Sequence, residues 1–319
     1  MKIISNPTRD EIKKAAKALK DGHLVAFPTE TVYGLGADAT NEKAVSRIYS
    51  VKNRPTGHPL IVHFSSLNQL DKWAIEIPLF AMKLARQFWP GPMTLILKRG
   101  SIAKDFVTGD QNNIGLRVPA EPVALALLSE FEKLGGIGVA APSANRFGAI
   151  SPTSANDVQE ELGNFLSSKD LILDGGRSEI GIESTIIDCT DNTPKILRPG
   201  FISLQMIEET CGIKSKQGLD TSTVKSSGQF ASHYAPLAEI FLDKTVGVGD
   251  GFLAMANVAT PDGAIRLGTP TTASEFASIL YAALRQADQQ GIKRISVIQP
   301  HGPGIALAIR DRLGKAACR

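Results

Sequence analysis

Apolar residues in the first part of the chain alternate between helical spacing and short continuous runs. Thr8 and Glu11 form a Thr-x-x-Glu capping box, and the apolar positions after it recur at helical spacing until Gly22. The segment 24–27, which follows directly, is apolar throughout, as is typical of a buried strand. The chain therefore is expected to begin with a helix followed by a strand.

The same two patterns continue to about residue 200. Helical spacing predicts further helices at 41–52, 80–88 and 123–133. Apolar runs bounded by turn residues predict strands at 60–64, 93–97, 114–118, 137–141 and 182–189, the last with a partner strand that ends at Leu197. Because helices and strands interleave without a strict period, the predicted fold class is α/β, a twisted mixed sheet with flanking helices.

A polar stretch rich in Ser, Thr, Lys and Gly spans 213–236, and this composition is typical of a linker. Beyond it, strands are predicted at 238–242, 251–257 and 294–299, and helices at 274–289 and 305–316. The predicted division is a catalytic domain at 1–212, a linker or lid at 213–236, and a small Rossmann-like α/β domain at 237–319.

Composition and charge limit the possible functions. The 319 residues are 43% apolar and 21% charged, which suits an ordinary globular core. A net charge of +3 and a pI near 8.7 permit an anionic ligand, but they lack the strong basic excess typical of nucleic-acid binders. The cysteines Cys189, Cys211 and Cys318 are too few and too far apart for a disulfide framework or a zinc site.

The N-terminus becomes charged before the apolar core of a signal peptide is formed. No apolar run approaches the ~18 residues of a membrane helix. We therefore expect a cytoplasmic protein with no membrane partner.

Standard nucleotide-binding and hydrolase signatures are missing from the sequence. No Gly-x-x-x-x-Gly-Lys-Ser/Thr loop occurs. The Gly-x-Gly-x-x-Ala string at 136–141 follows a predicted helix and leads into a strand, which reverses the dinucleotide-binding context. No nucleophile elbow, paired-carboxylate pattern or His-Glu-x-x-His motif is evident either. Catalysis, if present, must depend on other groups.

Arg117 lies between apolar neighbours at the end of a predicted strand. An unpaired guanidinium in such a place is costly to desolvate. Either an internal carboxylate or an anionic ligand must therefore meet it, and the residues alone leave both possibilities open.

Other basic and hydroxyl residues follow predicted helices and strands. Lys52 and Arg54, taken alone, are explained as solvated charges at a helix C-terminus. The segments 141–146, 183–185 and 198–200 are likewise compatible with ordinary turns and a strand start. Taken together, however, several Arg/Lys and Ser/Thr side chains lie on the loops of one domain. Such a group of side chains indicates a pocket for phosphate and carboxylate groups.

Seven short fragments, in a fixed order, make the chain similar to a known family. They are 28–36 (PTETVYGLG), 52–55 (KNRP) with 59–60 (PL), 89–92 (WPGP), 116–119 (LRVP), 141–145 (APSAN), 181–185 (GIEST) and 198–200 (RPG), followed by the linker motif His233-Tyr234-Ala235-Pro236. The sequence resembles the threonylcarbamoyl-AMP synthase family, in its long form with a YrdC-like domain and an extra C-terminal domain. Each fragment is weak alone, but their order is specific.

The resemblance implies two groups of binding residues. The threonine site is expected at Thr31, His63, Arg117, the backbone of Ala141, and Ser184. The nucleotide site is expected at Arg54, His58, Asn113, Ser143, Asn145, Ser151, Arg198 and Tyr234, the last as part of a lid. Lys52 and Arg54 are expected to serve catalysis, since fixed cations stabilise phosphate charge.

The resemblance also implies a reaction, in which ATP, L-threonine and bicarbonate give threonylcarbamoyl-AMP and pyrophosphate. The product would serve a downstream tRNA threonylcarbamoyl transferase complex that modifies the adenosine next to the anticodon; direct tRNA contact is left open. The threonine carbamate supplies the nucleophile, so no protein nucleophile is required. Mg2+ is the expected cofactor, held by the ATP phosphates rather than by protein ligands.

Two other functions are compatible with the same domain. A carbamoyltransferase is the first, but such relatives carry zinc-finger and acylphosphatase-like modules that the chain lacks. An RNA-binding protein is the second, but the mild charge and 6% aromatic content provide few phosphate contacts or stacking surfaces.

Overall fold

The chain folds around two separate β-sheets. The computed structural model describes residues 3–214, 216–217, 224, 234–244 and 247–318. Eleven strands from residues 3–217, here called the first part, form one sheet. Four strands from residues 234–318, here called the second part or C-terminal part, form the other.

Eleven strands and eight helices are formed by the described residues of the first part. Its strands are β1 (Ile3–Ser5), β2 (Val25–Phe27), β3 (Gly34–Asp38), β4 (Ile61–His63), β5 (Met93–Lys98), β6 (Asn113–Arg117), β7 (Val139–Ala140), β8 (Leu171–Asp174), β9 (Thr185–Asp188), β10 (Lys195–Arg198) and β11 (Lys216–Gln217). Its helices are α1 (Arg9–Lys20), α2 (Glu42–Lys52), α3 (Leu70–Trp73), α4 (Leu79–Phe88), α5 (Asp105–Thr108), α6 (Pro122–Lys133), α7 (Ala155–Leu162) and α8 (Leu204–Cys211), with a 3-10 turn at Leu67–Gln69.

The second part has three strands, then a helix, a strand and a helix along its described residues. Its elements are β12 (Glu239–Leu242), β13 (Gly251–Leu253), β14 (Ile265–Gly268), α9 (Ala273–Gln289), β15 (Arg294–Val297) and α10 (Ile305–Ala317). The spatial strand order is β12-β15-β13-β14, and each neighbouring pair is parallel. The first sheet has the order β1-β8-β2-β3-β7-β4-β6-β5-β9-β10-β11 and mixes parallel with antiparallel pairs. The predicted fold class, a mixed sheet plus a small α/β unit, is confirmed.

Helix α1 forms where its capping box and apolar face predict it. The Thr8 hydroxyl accepts a hydrogen bond from the Glu11 N–H, and the Glu11 carboxylate accepts one from the Thr8 N–H. These bonds satisfy two backbone donors that a helix start leaves open. The helix buries Ile12, Ala15 and Leu19 against the sheet and ends before Gly22, whose φ is +84°.

Strand β3 is missing from the sequence prediction because glycines interrupt its apolar run. Glycine is depleted in strands, so Gly34 and Gly36 weaken the strand signal. In the structure a methyl group at Gly36 would lie 2.8 Å from both Phe27 and Val139. The glycine therefore permits the close packing that places β3 inside the sheet.

Several other elements differ from the sequence prediction in presence or in extent. Strands β8 and β14, and helices α7 and α8, are too short to stand out as periodic patterns. The predicted strand at 182–189 begins only at Thr185, because the three residues before it leave the sheet. The linker at 213–236 stays a prediction, since most of it lies outside the described residues.

Strand pairing gathers the chain segments that carry the family's motifs. Strands β4 and β6 are parallel neighbours, with His63 in register with Arg117. Strand β7 lies on the other side of β4, and Ser143, just after it, bridges back to Gly34. Four segments therefore meet at one place: the end of β6, the start of β9, residues 28–34 and residues 141–145.

The second part packs directly onto the first. Ile182 and Val32 belong to the same apolar cluster as Phe276 and Leu280 of α9. Gly181, with φ +77°, faces α9 so closely that a methyl group there would lie 2.5 Å from the Ser278 Cα. Among the described helices, none combines the length and apolar character needed to cross a membrane.

The buried carboxylate of Asp170 and the half-buried Arg47 join β2, α2 and β8. The Asp170 carboxylate accepts hydrogen bonds from both terminal nitrogens of Arg47, at 2.9 and 2.6 Å, and from the N–H groups of Leu24 and Ser167. Burial alone raises the pKa of Asp170, but these hydrogen bonds outweigh it, and the net effect lowers the pKa. The carboxylate therefore favours the folded state only while it is ionised.

We expect Asp170→Asn to lower the free energy of unfolding by about 1–3 kcal/mol at pH 7, because the buried N–H groups of Leu24 and Ser167 and the half-buried Arg47 lose their ionised acceptor. The stabilisation is fully present above the unfolded-state pKa of about 4 and is lost as the pH falls through the lower folded-state pKa. Urea unfolding at several pH values measures the difference. The exposed Asp191 provides the control, Asp191→Asn, with a change within about 0.5 kcal/mol. Equal effects of the two substitutions would contradict the assignment.

Candidate active site

A cavity of about 570 Å³, open to solvent, lies where the motif segments meet. Its walls come from the 29–34 segment, the ends of β4 and β6, the 141–143 segment after β7, and the residues just before β9 and at the end of β10. Tyr234 closes part of it.

All five residues expected at the threonine site line this cavity. They are Thr31, His63, Arg117, Ala141 and Ser184. They come from five separate chain segments, so only the tertiary fold brings them together. Their roles toward a ligand stay predictions.

Arg117 meets an internal carboxylate, which is one of the two possibilities that the sequence leaves open. Its Nη2 donates to the Glu30 Oε1 at 2.7 Å, its Nη1 donates to the Thr31 hydroxyl at 3.0 Å, and its Nε donates to the Gly91 carbonyl at 3.3 Å. A guanidinium carries five N–H groups, so these bonds leave two for a ligand. Arg117 is thus held in place and still faces the cavity.

Ser184 and Arg198 form a second polar wall. The Nε of Arg198 donates to the Ser184 carbonyl at 3.0 Å, and its Nη2 donates to the Ser184 hydroxyl at 3.1 Å. The Ser184 hydroxyl also shares a hydrogen bond of 2.8 Å with Thr94. Gly200 permits this packing, because a methyl group there would lie 2.4 Å from the Thr185 nitrogen.

Arg54 supplies a third cation to the cavity. Its Nη2 donates to the Pro59 carbonyl at 3.1 Å, and its guanidinium lies 5.8 Å from the centre of the Phe147 ring. The ring of His58 packs against the same Phe147 at 5.3 Å. Burial lowers the pKa of Arg54 to about 10, so this side chain remains charged at neutral pH.

Lys52 lies beneath the cavity wall and does not line the cavity. Its Nζ donates to the carbonyls of Ser143 and Asn145, at 2.6 and 2.5 Å. The Asn145 amide in turn donates to the Arg146 and Ala149 carbonyls. Burial lowers the pKa of the Lys52 amine well below its usual range. Lys52 and Asn145 thus hold the segment that places Ser143 at the cavity surface.

Four residues expected at the nucleotide site lie outside the cavity lining: His58, Asn113, Asn145 and Ser151. Asn113 begins β6, four residues before Arg117, which places it about 13 Å away along an extended strand. Ser151 lies behind the wall, where its hydroxyl donates to the Glu183 Oε1 at 2.6 Å. Ser143, Arg54, Arg198 and Tyr234, by contrast, all line the cavity.

Glu183 is a cavity residue that the sequence analysis does not assign. Its carboxylate accepts hydrogen bonds from Ser151, from the Tyr281 hydroxyl of α9 and from the Nε of Arg312 of α10. Burial alone raises the pKa of Glu183, but Arg312 and Arg198 outweigh this effect and lower it to about 2. The signal available in the sequence is its place directly before Ser184 in the 181–185 fragment.

Tyr234 is buried and packs between the two parts of the chain. Its ring stacks on Tyr281 at 5.6 Å, and the guanidinium of Arg312 lies 5.5 Å from its centre. Burial and the nearby Glu183 raise the pKa of its hydroxyl to about 12. His233, the neighbouring residue of the linker motif, lies outside the described residues.

The charges around the cavity favour an anionic ligand. Three arginines, Arg54, Arg117 and Arg198, line it, against Glu183 as the lining carboxylate and Glu30 just behind. Within the described residues, no group of three or more His, Cys, Asp or Glu side chains is arranged to hold a metal ion. Planar guanidinium groups bind carboxylate and phosphate oxygens in pairs, so the cavity suits a ligand that carries such groups.

The fold and this arginine-lined cavity define an α/β protein of the YrdC-like class, and the comparisons identify the family. The family model Sua5_yciO_yrdC, described as "Telomere recombination", matches residues 17–200. The model described as "Threonylcarbamoyl-AMP synthase, C-terminal domain" matches residues 202–318. The chain belongs to the Sua5/YciO/YrdC family, in the form with the C-terminal domain.

Relatives named threonylcarbamoyl-AMP synthase match nearly the whole chain. The protein from Pyrococcus abyssi is 39% identical, over 96% of this chain and 94% of the relative. That from Bacillus subtilis is 38% identical, over 96% and 93%. A solved structure of P. abyssi Sua5 complexed with L-threonine superposes with a TM-score of 0.88 at 36% identity, covering 99% of this chain and 98% of that one. The recognised family is thus confirmed.

His63 provides a test of whether the cavity wall excludes water from the imidazole ring. Burial, reinforced by Arg117, lowers the pKa of its imidazole from 6.5 to about 3. The neutral ring therefore favours the folded state above pH 6.5, and this contribution is lost as the pH falls toward 3.

We expect His63→Asn to make the free energy of unfolding less sensitive to acid. In the wild type, His63 binds a proton below pH 6.5 in the unfolded chain but stays neutral in the folded protein, and the variant has no such group. The wild type should lose up to about 1.4 kcal/mol more than the variant for each pH unit below 6.5. Urea unfolding between pH 4 and 8 measures both slopes. Parallel curves over this range would mean that His63 titrates normally.

Proposed function

We propose that the protein uses ATP to convert L-threonine and bicarbonate into L-threonylcarbamoyl-AMP, with release of pyrophosphate. The observation that carries this proposal is the convergence of Arg54, Arg117 and Arg198 on one cavity inside the region matched by the family model. The relative solved with L-threonine supports threonine as the amino acid. The match of 202–318 to the synthase's C-terminal domain favours this activity over carbamoyl transfer or RNA binding.

The proposed chemistry needs positioning and charge rather than a protein nucleophile. The threonine amine and bicarbonate form a carbamate with loss of water. A carbamate oxygen then attacks the α-phosphorus of ATP, and the bond from that phosphorus to the bridging oxygen breaks to release pyrophosphate. The reaction is a nucleotidyl transfer, in which orientation and fixed cations supply most of the rate.

The cavity residues divide between the two substrates in this proposal. Arg117 binds the threonine carboxylate through its two remaining N–H groups, beside Thr31 and Ser184. Arg54 and Arg198 face the phosphates, where their charge stabilises the departing pyrophosphate. Lys52 acts from behind, by fixing the 143–145 segment.

A bound Mg2+ would take most of its ligands from ATP and water. The described residues offer it no cluster of carboxylates, so we assign no step to a metal held by the protein. In the cell, the product would pass to a tRNA threonylcarbamoyl transferase complex in the cytoplasm for modification of the adenosine beside the anticodon.

The first test of this function is substrate dependence. The purified protein should release pyrophosphate from ATP when L-threonine and bicarbonate are both present, because the nucleophile is formed from the two. Reactions that omit either one, or that replace L-threonine with D-threonine, serve as controls. Pyrophosphate release without threonine, or no release with all three substrates, would contradict the proposal.

Arg117→Lys tests the carboxylate assignment. The substitution keeps a positive charge beside Glu30 but loses the planar fork, so the threonine KM should rise about tenfold or more while the ATP KM changes little. Steady-state pyrophosphate assays and thermal unfolding measure the two effects. Arg99→Lys, at an ion pair with Asp105 outside the cavity, is the matched control and should keep both constants. A normal threonine KM in a folded Arg117→Lys variant would exclude Arg117 as the carboxylate ligand.

A further inference from the structure

A buried arginine from the C-terminal part reaches the active-site wall. The Arg312 side chain of α10 has no exposed surface. Its Nε donates to the Glu183 Oε2 at 2.7 Å, and its Nη2 donates to the Pro199 carbonyl at 3.0 Å. Its Nη1 donates to the neighbouring Asp311. One side chain therefore ties two segments of the first part to the second.

Both tied segments carry cavity residues. Glu183 lines the cavity and directly precedes Ser184, while Pro199 directly follows Arg198. Arg198 and Ser184 are in turn hydrogen-bonded to each other. The position of this pair thus depends on the two points that Arg312 holds.

Tyr281 of α9 also hydrogen-bonds to the Glu183 carboxylate. Its hydroxyl lies 3.2 and 3.0 Å from the two Glu183 oxygens and donates to them. Its ring also stacks on Tyr234, whose ring centre lies 5.5 Å from the Arg312 guanidinium. Glu183 is consequently fixed from α9, from α10 and from Ser151.

Within the part of the chain that the structure describes, loss of Arg312 would leave Arg198 as the cation acting on the buried Glu183. The groups that face this carboxylate are Arg198, Arg312, Tyr234 and Tyr281, with Ser151 as a neutral donor. A buried carboxylate without its main partner attracts the nearest cation strongly. Arg198 would then turn from Ser184 and the ligand toward Glu183.

We propose that Arg312 and Tyr281 are positioning residues of the active site, which fix Glu183 and Pro199 and thereby hold Ser184 and Arg198 in the geometry that binds the substrates. This inference rests on the proposed function. In this proposal the C-terminal domain positions active-site residues through Arg312 and Tyr281, although neither side chain lines the cavity.

The test compares the KM values for threonine and ATP in four full-length variants. Arg312→Met should raise the KM values for threonine and ATP about tenfold or more, because it removes a charged hydrogen bond that places both walls. Tyr281→Phe, which removes only the hydroxyl, should raise them about threefold. In both variants kcat should change less than KM.

Arg285→Met is the matched control. Arg285 lies on α9 and also crosses to the first part, where it donates to the Ile150 carbonyl and pairs with Glu161, but none of these residues lines the cavity. It should lower the melting temperature yet keep both KM values within about twofold. In a further variant, Arg312→Met with Glu183→Gln, part of the lost affinity should return, because no buried carboxylate remains to attract Arg198.

Three outcomes would overturn the inference. They are normal KM values in folded Arg312→Met and Tyr281→Phe, an effect of Arg285→Met as large as that of Arg312→Met, and a loss confined to kcat. If Arg312→Met does not fold, Tyr281→Phe decides alone. Failure of the proposed function is seen separately, as a wild-type protein that releases no pyrophosphate.

Discussion

The structure depends on the burial of guanidinium groups at one place in the molecule. Arg54, Arg117, Arg198 and Arg312 are each less than 10% exposed, and a buried cation is tolerated only where acceptors surround it. Backbone carbonyls supply many of these acceptors, and two buried carboxylates, Glu30 and Glu183, supply the remaining charge. The segments that bear these groups are therefore fixed by electrostatics as much as by apolar packing. A cavity walled by such groups has a strong preference for anions before any ligand arrives.

Elements with a local signal could be predicted from the sequence, and those formed by distant partners could not. Helix α1 has a capping box and an apolar face in its local sequence, α6 has a capping side chain and an apolar face, and β5 has a continuous apolar run. Strand β3 gives no such signal, because its glycines have meaning only beside Phe27 and Val139. Among the site residues, the fragments around Arg117 and Ser184 are recognisable as motifs. The tie from Arg312 to Glu183 spans 129 positions and leaves no trace in either local pattern.

The family's motifs also divide into residues that face the cavity and residues that build its walls. Arg117 and Ser143 face it, whereas Lys52 and Asn145 lie behind and hold backbone carbonyls. Sequence patterns do not distinguish the two kinds, because both are polar residues in loops. Burial and hydrogen-bond partners do distinguish them. The supporting residues have a structural task that is as demanding as direct contact, since a loop that shifts by 1 Å misplaces every group it carries.

Gly181 lets α9 touch the backbone of the segment that leads into Glu183, with no side chain between them. Motion of the C-terminal part is therefore transmitted to the cavity wall without a compressible layer to absorb it. Thermodynamic linkage makes this coupling reciprocal. If the docking of α9 and α10 favours a ligand at Ser184 and Arg198, binding of that ligand strengthens the docking by the same free energy.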